Sequence, residues 1–144
     1  MKKTFFILAV ILVMSAILLS ACGGGGSTKS TSTRPDVPST YSGKTNPVAG
    51  KTDASDSGKL VFDTNCASCH GATGAGDGAA AAALDPKPAN LDKAVAEVSD
   101  AYLFWRISEG GASAPFNSSM PAWKGILSEN DIWNVITYIQ MNFK

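Results

Sequence analysis

Apolar residues recur at helical spacing in four segments of the chain, and the clearest segment lies at the C-terminal end. There Ile132, Ile136, Ile139 and Phe143 fall at offsets of 0, 4, 7 and 11, which places them on one face of a helix. Weaker patterns predict helices over residues 58–66, within residues 90–98 and from residue 99 to the glycine pair at 110–111. Because no segment has convincing strand character, the pattern predicts an all-α fold of short helices and loops.

Local capping signals support three of these helices. Ser128 opens the sequence Ser-Glu-Asn-Asp, which resembles a capping box at the start of the last helix. Ser99 is a good N-cap for the third helix, and the glycine pair that begins at Gly110 is typical of a helix end. For the first helix, Asp56 or Ser57 is the predicted N-cap.

The first 21 residues have the composition of a secretion signal. Lys2 and Lys3 precede an apolar run over residues 5–19, and small residues then lead to Cys22. This ending resembles the lipobox of bacterial lipoproteins, which implies cleavage before Cys22 and lipidation of its thiol. An uncleaved signal anchor is the alternative, since residues 5–21 are at the lower limit of a membrane-spanning length. In both cases the rest of the chain is expected on the extracytoplasmic face of the cell membrane.

Composition divides the remaining chain into two parts. Residues 23–57 contain no Leu, Ile, Phe, Met or Trp, so residues 22–57 are predicted to be the lipidated cysteine and a flexible tether. Residues 58–144 are predicted to form the folded domain. A domain this small often needs a metal, a disulfide or another staple, and a buried prosthetic group would serve as one.

Charge excludes one class of function. The whole chain has 12 Lys and Arg and 12 Asp and Glu, and loss of Lys2 and Lys3 with the signal peptide leaves a small negative excess. Nucleic-acid binding proteins carry a clear basic excess. We therefore expect no nucleic-acid partner.

The most specific motif is Cys66-Ala-Ser-Cys69-His70, which is typical of a c-type haem attachment site. Two thiols three residues apart on one helical face can bond the two vinyl groups of one porphyrin, and His70 then reaches the iron. A redox dithiol and half of a zinc site are the alternatives. Zinc needs four ligands and the chain has no second Cys or His pair, so one covalently bound haem c per chain is predicted.

The opposite face of the iron needs a second axial ligand. His70 is the only histidine, and removal of the signal peptide leaves Met120 and Met141 as the methionines. Met141 lies in the last predicted helix, whereas Met120 lies in a loop and precedes Pro121. Because Met/His ligation is usual in cytochromes c, Met120 is the predicted sixth ligand.

With these motifs, residues 58–144 resemble class I monohaem cytochromes c. The resemblance implies that a glycine and an aromatic residue of the first helix pack against the last helix, that a tryptophan lies against the haem, and that a proline carbonyl supports the proximal histidine. In this sequence the glycine and the aromatic residue are Gly58 and Phe62, which would pack against Val135, Tyr138 and Ile139. The tryptophan is Trp123. The proline is Pro88, with Pro86 as the alternative.

A haem with two protein ligands has no open position for a substrate, so the sequence predicts a one-electron carrier rather than an enzyme. The resemblance implies a cytochrome bc-type donor and, as acceptor, a terminal oxidase or a photosynthetic reaction centre. We expect a monomer. The alternatives are a haem enzyme or sensor with a labile sixth ligand, such as a small peroxidase, and a fixed subunit of an oxidase or reductase complex.

Overall fold

The computed structural model describes residues 34–143. The predictions of a signal peptide over residues 1–21 and of lipidation at Cys22 lie outside the described residues. The packed unit begins at Pro35.

Five α-helices make up the regular structure of the packed unit. They are α1 (Thr52–Asn65), α2 (Ala67–His70), α3 (Leu91–Val95), α4 (Asp100–Glu109) and α5 (Glu129–Asn142), with a 3-10 turn at Ala81–Ala83. Between residues 34 and 143 there is no strand, only an isolated bridge between Lys124 and Leu127. The predicted all-α fold is therefore confirmed. None of the described helices has both the length and the apolar character needed to cross a bilayer.

The caps predicted at Ser99 and Ser128 are present where α4 and α5 begin. The Ser128 hydroxyl accepts a 3.1 Å hydrogen bond from the Asp131 amide, and the Asp131 carboxylate accepts one from the Ser128 amide. Ser99 caps α4 in the same way, by accepting a bond from the Tyr102 amide. These bonds satisfy amide groups that have no partner within the first turn of a helix.

Helices α1 and α5 cross in close contact at Gly58. A Cβ atom at this position would lie 2.0 Å from the carbonyl oxygen of Asn134, so only glycine allows this approach. Next to the crossing, Phe62 packs in a buried cluster with aromatic and aliphatic residues of α5 and its end: Val135, Tyr138, Ile139 and Phe143. The predicted packing of Gly58 and Phe62 against the last helix is confirmed.

A second buried cluster joins α4 to α5. It contains Leu103 and Phe104 of α4 with Ile132, Trp133 and Ile136 of α5, and the rings of Phe104 and Trp133 are 4.3 Å apart. Ile132, Ile136, Ile139 and Phe143 are all buried. The helical face predicted from their spacing is thus the face that α5 presents to both clusters.

The structure differs from the sequence prediction over residues 35–57, which were expected to belong to a flexible tether. Helix α1 begins at Thr52, six residues before the predicted domain boundary, and Lys51 occupies its N-cap instead of Asp56 or Ser57. Upstream of it, residues 35–50 form a packed segment, here called the strap. Tyr41 and Val48 of the strap pack against the second cluster.

Buried hydrogen bonds hold the strap in place. The Asn46 side chain is 8% exposed and donates a 2.8 Å bond to the Thr137 hydroxyl, while its backbone amide donates to Asp100. Composition alone misses such a segment, because a few buried contacts with satisfied polar groups can fix a chain that is poor in large apolar residues.

Candidate haem site

The attachment motif lies where α1 ends and the short helix α2 begins. The Cys66 amide bonds to the Phe62 carbonyl at 2.8 Å, so Cys66 closes the last turn of α1. The Cys66 carbonyl in turn accepts bonds from the amides of Cys69 and His70, at 3.1 and 2.9 Å. This single turn places the two cysteines three residues apart on one side of α2. The structure therefore brings together the three residues that the motif singled out.

The two cysteines are partly buried and are not bonded to each other. Burial, with a smaller contribution from the nearby Cys69, raises the pKa of the Cys66 thiol to about 11. Among residues 34–143, no three His, Cys, Asp or Glu side chains come together in a way that could hold a metal ion. The described residues thus offer no zinc site around this cysteine pair.

The imidazole of His70 is held by a hydrogen bond between its Nδ1 atom and the carbonyl oxygen of Ala89 at 3.0 Å. When Nδ1–H donates to this carbonyl, the lone pair of the ring is on Nε2, where it can coordinate a metal. Burial lowers the pKa of His70, and the bond to Ala89 opposes that effect in part. A lowered pKa favours the neutral imidazole that iron ligation requires.

The prediction that Pro88, or else Pro86, supplies this supporting carbonyl is wrong: the carbonyl belongs to Ala89. The reason lies in the path of the chain. A Cβ atom on Gly76 would lie 2.6 Å from the carbonyl oxygen of Pro88 and 3.4 Å from that of Ala89, so both carbonyls lie beside the loop after α2. Of the two, the carbonyl of Ala89 is the one that also faces the His70 imidazole.

The loop over residues 71–80 holds the C-terminal end of α2, a role that sequence reasoning missed. Amides of Gly76, Gly78 and Ala80 donate to the carbonyls of His70, Cys69 and Ser68, at 2.8, 3.2 and 2.9 Å. Carbonyls at a helix end need such partners. A Cβ atom on Gly78 would lie 2.3 Å from the Ser68 oxygen, so the loop needs glycine to come this close. Glycines at 71, 74, 76 and 78, directly after the motif, were the available signal.

Met120 is held on another segment, beside the end of α4. Its carbonyl accepts a 2.8 Å bond from the Gly111 amide, and Trp123 further along donates to the Ile107 carbonyl at 3.1 Å. A Cβ atom on Gly110 would lie 2.5 Å from the carbonyl carbon of Pro121, so the two segments are in close contact. Met120 and Trp123 are both partly buried. No hydrogen bond joins Met120 to His70 within the described part of the chain.

Several apolar side chains pack against the first buried cluster and are only partly buried. They come from α1, α2, α3 and α4 and the turn between the first two: Val61, Cys66, Ala67, Leu91, Val95 and Ile107. A large flat apolar group bonded to the two cysteines would cover such side chains. These partly buried apolar side chains, the two thiols and the oriented imidazole fit a covalently attached haem.

Comparisons with known proteins agree with this interpretation. A family model described as "Cytochrome C oxidase, cbb3-type, subunit III" matches residues 53–139, more than half of the chain. No curated protein sequence matches significantly.

A solved structure from Kuenenia stuttgartiensis, described as the reducing HAO-like protein complex Kustc0457/Kustc0458, has a TM-score of 0.55 and 20% identity. The match covers 68% of this chain and 47% of that chain, so the present chain spans about half the length of its relative. At this identity the likeness shows the fold alone, which is the helical fold described above. The match of the family model covers most of the packed unit and includes the attachment motif at residues 66–70. The chain therefore belongs to the cbb3-type cytochrome c oxidase subunit III family and is a c-type cytochrome.

Proposed function

We propose that the protein is a one-electron carrier with a single haem c, bonded through Cys66 and Cys69 and ligated by His70 and Met120. When bound, the haem supplies a centre that gains and loses one electron. The observation that carries the proposal is the bond between His70 Nδ1 and the Ala89 carbonyl, since it leaves Nε2 of the only histidine available to iron. That histidine directly follows two partly buried thiols that form no disulfide.

Met120 has two tasks in this proposal. Its thioether would ligate the iron together with His70, which would leave no position for oxygen or peroxide, and a thioether ligand would favour the ferrous state and so raise the reduction potential. The backbone around Met120 supports the first task, because Gly111 and Met120 share a 2.8 Å hydrogen bond that fixes the residue to the end of α4. A small peroxidase or a gas sensor would instead need a position that opens.

Spectroscopy of the full chain tests this assignment directly. The ferric protein is expected to show the weak near-infrared band of methionine-ligated haem, and the ferrous protein is expected to bind carbon monoxide poorly at neutral pH. A colourless protein would contradict the haem itself. Rapid carbon monoxide binding by the unmodified protein would favour the enzyme or sensor alternative.

A fixed subunit of an oxidase complex is the second candidate, and the description of the matching family favours it. A carrier and a subunit would share the same haem site and differ in how long they stay with their partner. Purification from membranes in a mild detergent distinguishes them. Stable, stoichiometric association with an oxidase core would identify a subunit, whereas a protein that separates freely and is re-oxidised by added membranes would be a mobile carrier.

The proposed partners are a cytochrome bc-type complex as donor and a terminal oxidase or a photosynthetic reaction centre as acceptor. A lipid on Cys22 would keep the protein on the outer face of the cell membrane beside them. We propose that the tether is shorter than the predicted range of residues 22–57, because the strap packs from residue 35 onward. Residues 22–34 then separate the proposed lipid site from the strap.

The anchor and its length can be tested separately. Cys22→Ala is expected to release the haem-loaded protein from the membrane fraction, and continued membrane association would indicate an uncleaved anchor. Lengthening the segment between residues 22 and 34 with Gly-Ser repeats is expected to change electron delivery in membranes only if the haem domain moves between its partners on this tether.

A further inference from the structure

We propose that Arg106 is a positioning residue that holds the loop over residues 111–120 closed and so keeps Met120 in place. The inference rests on the proposed ligation by Met120. It concerns a side chain on α4 that is 14 positions away from Met120 in sequence.

The guanidinium group of Arg106 lies directly over the ring of Phe116, with its central carbon 3.3 Å from the ring centre. Trp105, the preceding residue on α4, contacts the same ring edge-on with a centroid distance of 5.6 Å. Phe116 is therefore held by two consecutive side chains of α4. A guanidinium group stacked on an aromatic face is attracted by the charge distribution of the ring.

The second contact of Arg106 is with the backbone at the start of the loop. Its Nη1 atom donates a hydrogen bond to the carbonyl of Gly110. Gly110 ends α4 with a φ of +66°, a conformation in the left-handed region that favours glycine. One side chain thus contacts both the point where the chain leaves α4 and the middle of the loop that follows.

The two ends of the loop meet at Gly111. Its amide donates to the Met120 carbonyl and its carbonyl accepts from the Ser118 amide, both at 2.8 Å. Between these points Phe116 is the one large side chain, since the remaining residues are small or polar apart from Pro115. Fixing Phe116 on α4 therefore fixes the loop that carries Met120 at its end.

Arg106 is partly buried, and burial lowers the pKa of its guanidinium group. None of the ion pairs found among residues 34–143 includes this residue. Its charge is thus accommodated by the Phe116 ring, by the more distant face of Trp105 at 5.7 Å and by the Gly110 carbonyl. A surface arginine used only for solubility would not be held by so many groups.

Imidazole competition tests the proposal on the full-length, haem-loaded ferric protein. Imidazole binds where Met120 is displaced, so its affinity measures how readily the loop opens. Arg106→Met and Phe116→Leu are each expected to tighten imidazole binding by about three- to thirtyfold, the range for loss of one stacked cation. The double variant is expected to be affected less than the sum of the two single variants, because both changes remove the Arg106–Phe116 contact, which can be lost only once. Lys59→Met, an exposed charge loss on α1, is the matched control and should leave the affinity unchanged.

Several results would overturn the proposal. They are an unchanged affinity in Arg106→Met, an effect of Arg106→Met that Phe116→Leu does not share, and additive effects in the double variant. The last two would mean that Arg106 acts on the haem directly. If Arg106→Met does not fold, Arg106→Lys replaces it and is expected to show a smaller tightening, since lysine keeps the charge but cannot stack a planar group. Absence of the near-infrared band in the unmodified protein would refute Met120 ligation itself, a failure distinct from these.

Discussion

Asn46 and Thr137 are joined by a buried hydrogen bond of 2.8 Å, from the side-chain amide of the strap residue to the hydroxyl in the middle of α5. Thr137 is fully buried, and its single hydroxyl proton is shared between the Trp133 carbonyl of α5 at 3.0 Å and the Val48 carbonyl of the strap at 3.3 Å. Every buried side-chain polar atom among the described residues has a partner. The strap is therefore part of the folded unit.

Removing this bond tests how much the strap contributes to stability. Asn46→Ala is expected to lower the free energy of unfolding by about 1–3 kcal/mol, because the Thr137 hydroxyl loses a donor in a buried position. Denaturant unfolding of the haem-loaded protein measures the effect. Thr45→Ala, at an exposed neighbouring position, is the control. Equal stability of the two variants would mean that the strap does not contribute as described.

The crossing of α1 and α5 gives a sharper prediction. Gly58→Ala is expected to cost about 3 kcal/mol or more, because the added Cβ atom meets a backbone oxygen at 2.0 Å and neither helix can move without disturbing the Phe62 cluster. Ser57→Ala at the adjacent exposed position should change stability little. Thermal unfolding of both variants provides the comparison. A well-folded Gly58→Ala protein with normal stability would contradict the tight crossing.

Met120 and Met141, the two methionines among the residues that the structure describes, provide a matched pair. Met120→Ala is expected to abolish the near-infrared band, to permit carbon monoxide binding and to lower the reduction potential, because the thioether no longer stabilises ferrous iron. Met141→Ala should change none of these properties, since Met141 is 39% exposed on α5. Loss of the band in the Met141 variant alone would reverse the assignment of the sixth ligand.

The bond between Tyr41 and Glu109 predicts a pH dependence of strap packing. Burial, with the Glu109 carboxylate, raises the pKa of Tyr41 from 10.0 to about 12. Because the folded state holds this proton more tightly, the stabilisation is complete below the ordinary pKa and is lost as the pH rises toward 12. Tyr41→Phe should flatten the alkaline loss of stability seen in unfolding curves over this range. Tyr102→Phe is the control, and an identical flattening there would contradict the assignment to Tyr41.

The same bond also acts at low pH. It is the main reason why the pKa of Glu109 is lowered, and Lys124 adds to the effect. Stability from Glu109 is therefore present above the ordinary carboxylate pKa of 4.5 and is lost as the pH falls through the lowered value. Because Glu109 is largely exposed, the acid contribution is expected to be small. Comparing Glu109→Gln with Asp63→Asn, an exposed residue of α1, by acid unfolding measures it.

Features that depend on neighbouring residues could be predicted from the sequence. The buried face of α5, the capping box at Ser128 and the N-cap at Ser99 all follow from side chains within a few positions of one another. The attachment motif is equally local, since the spacing of Cys66, Cys69 and His70 is enough to place them on one turn. Local geometry needs no knowledge of the fold.

What only the tertiary structure decided depends on segments far apart in sequence. Which carbonyl supports His70 depends on the path of the loop from residue 71 to residue 89, and that path presents Ala89 rather than Pro88. The packing of the strap depends on Thr137, 91 positions after Asn46. The contact of Arg106 with Phe116 depends on how the loop folds back on α4. Spacing and composition describe the chain along its length, whereas these contacts exist only once distant segments meet and satisfy each other's buried groups.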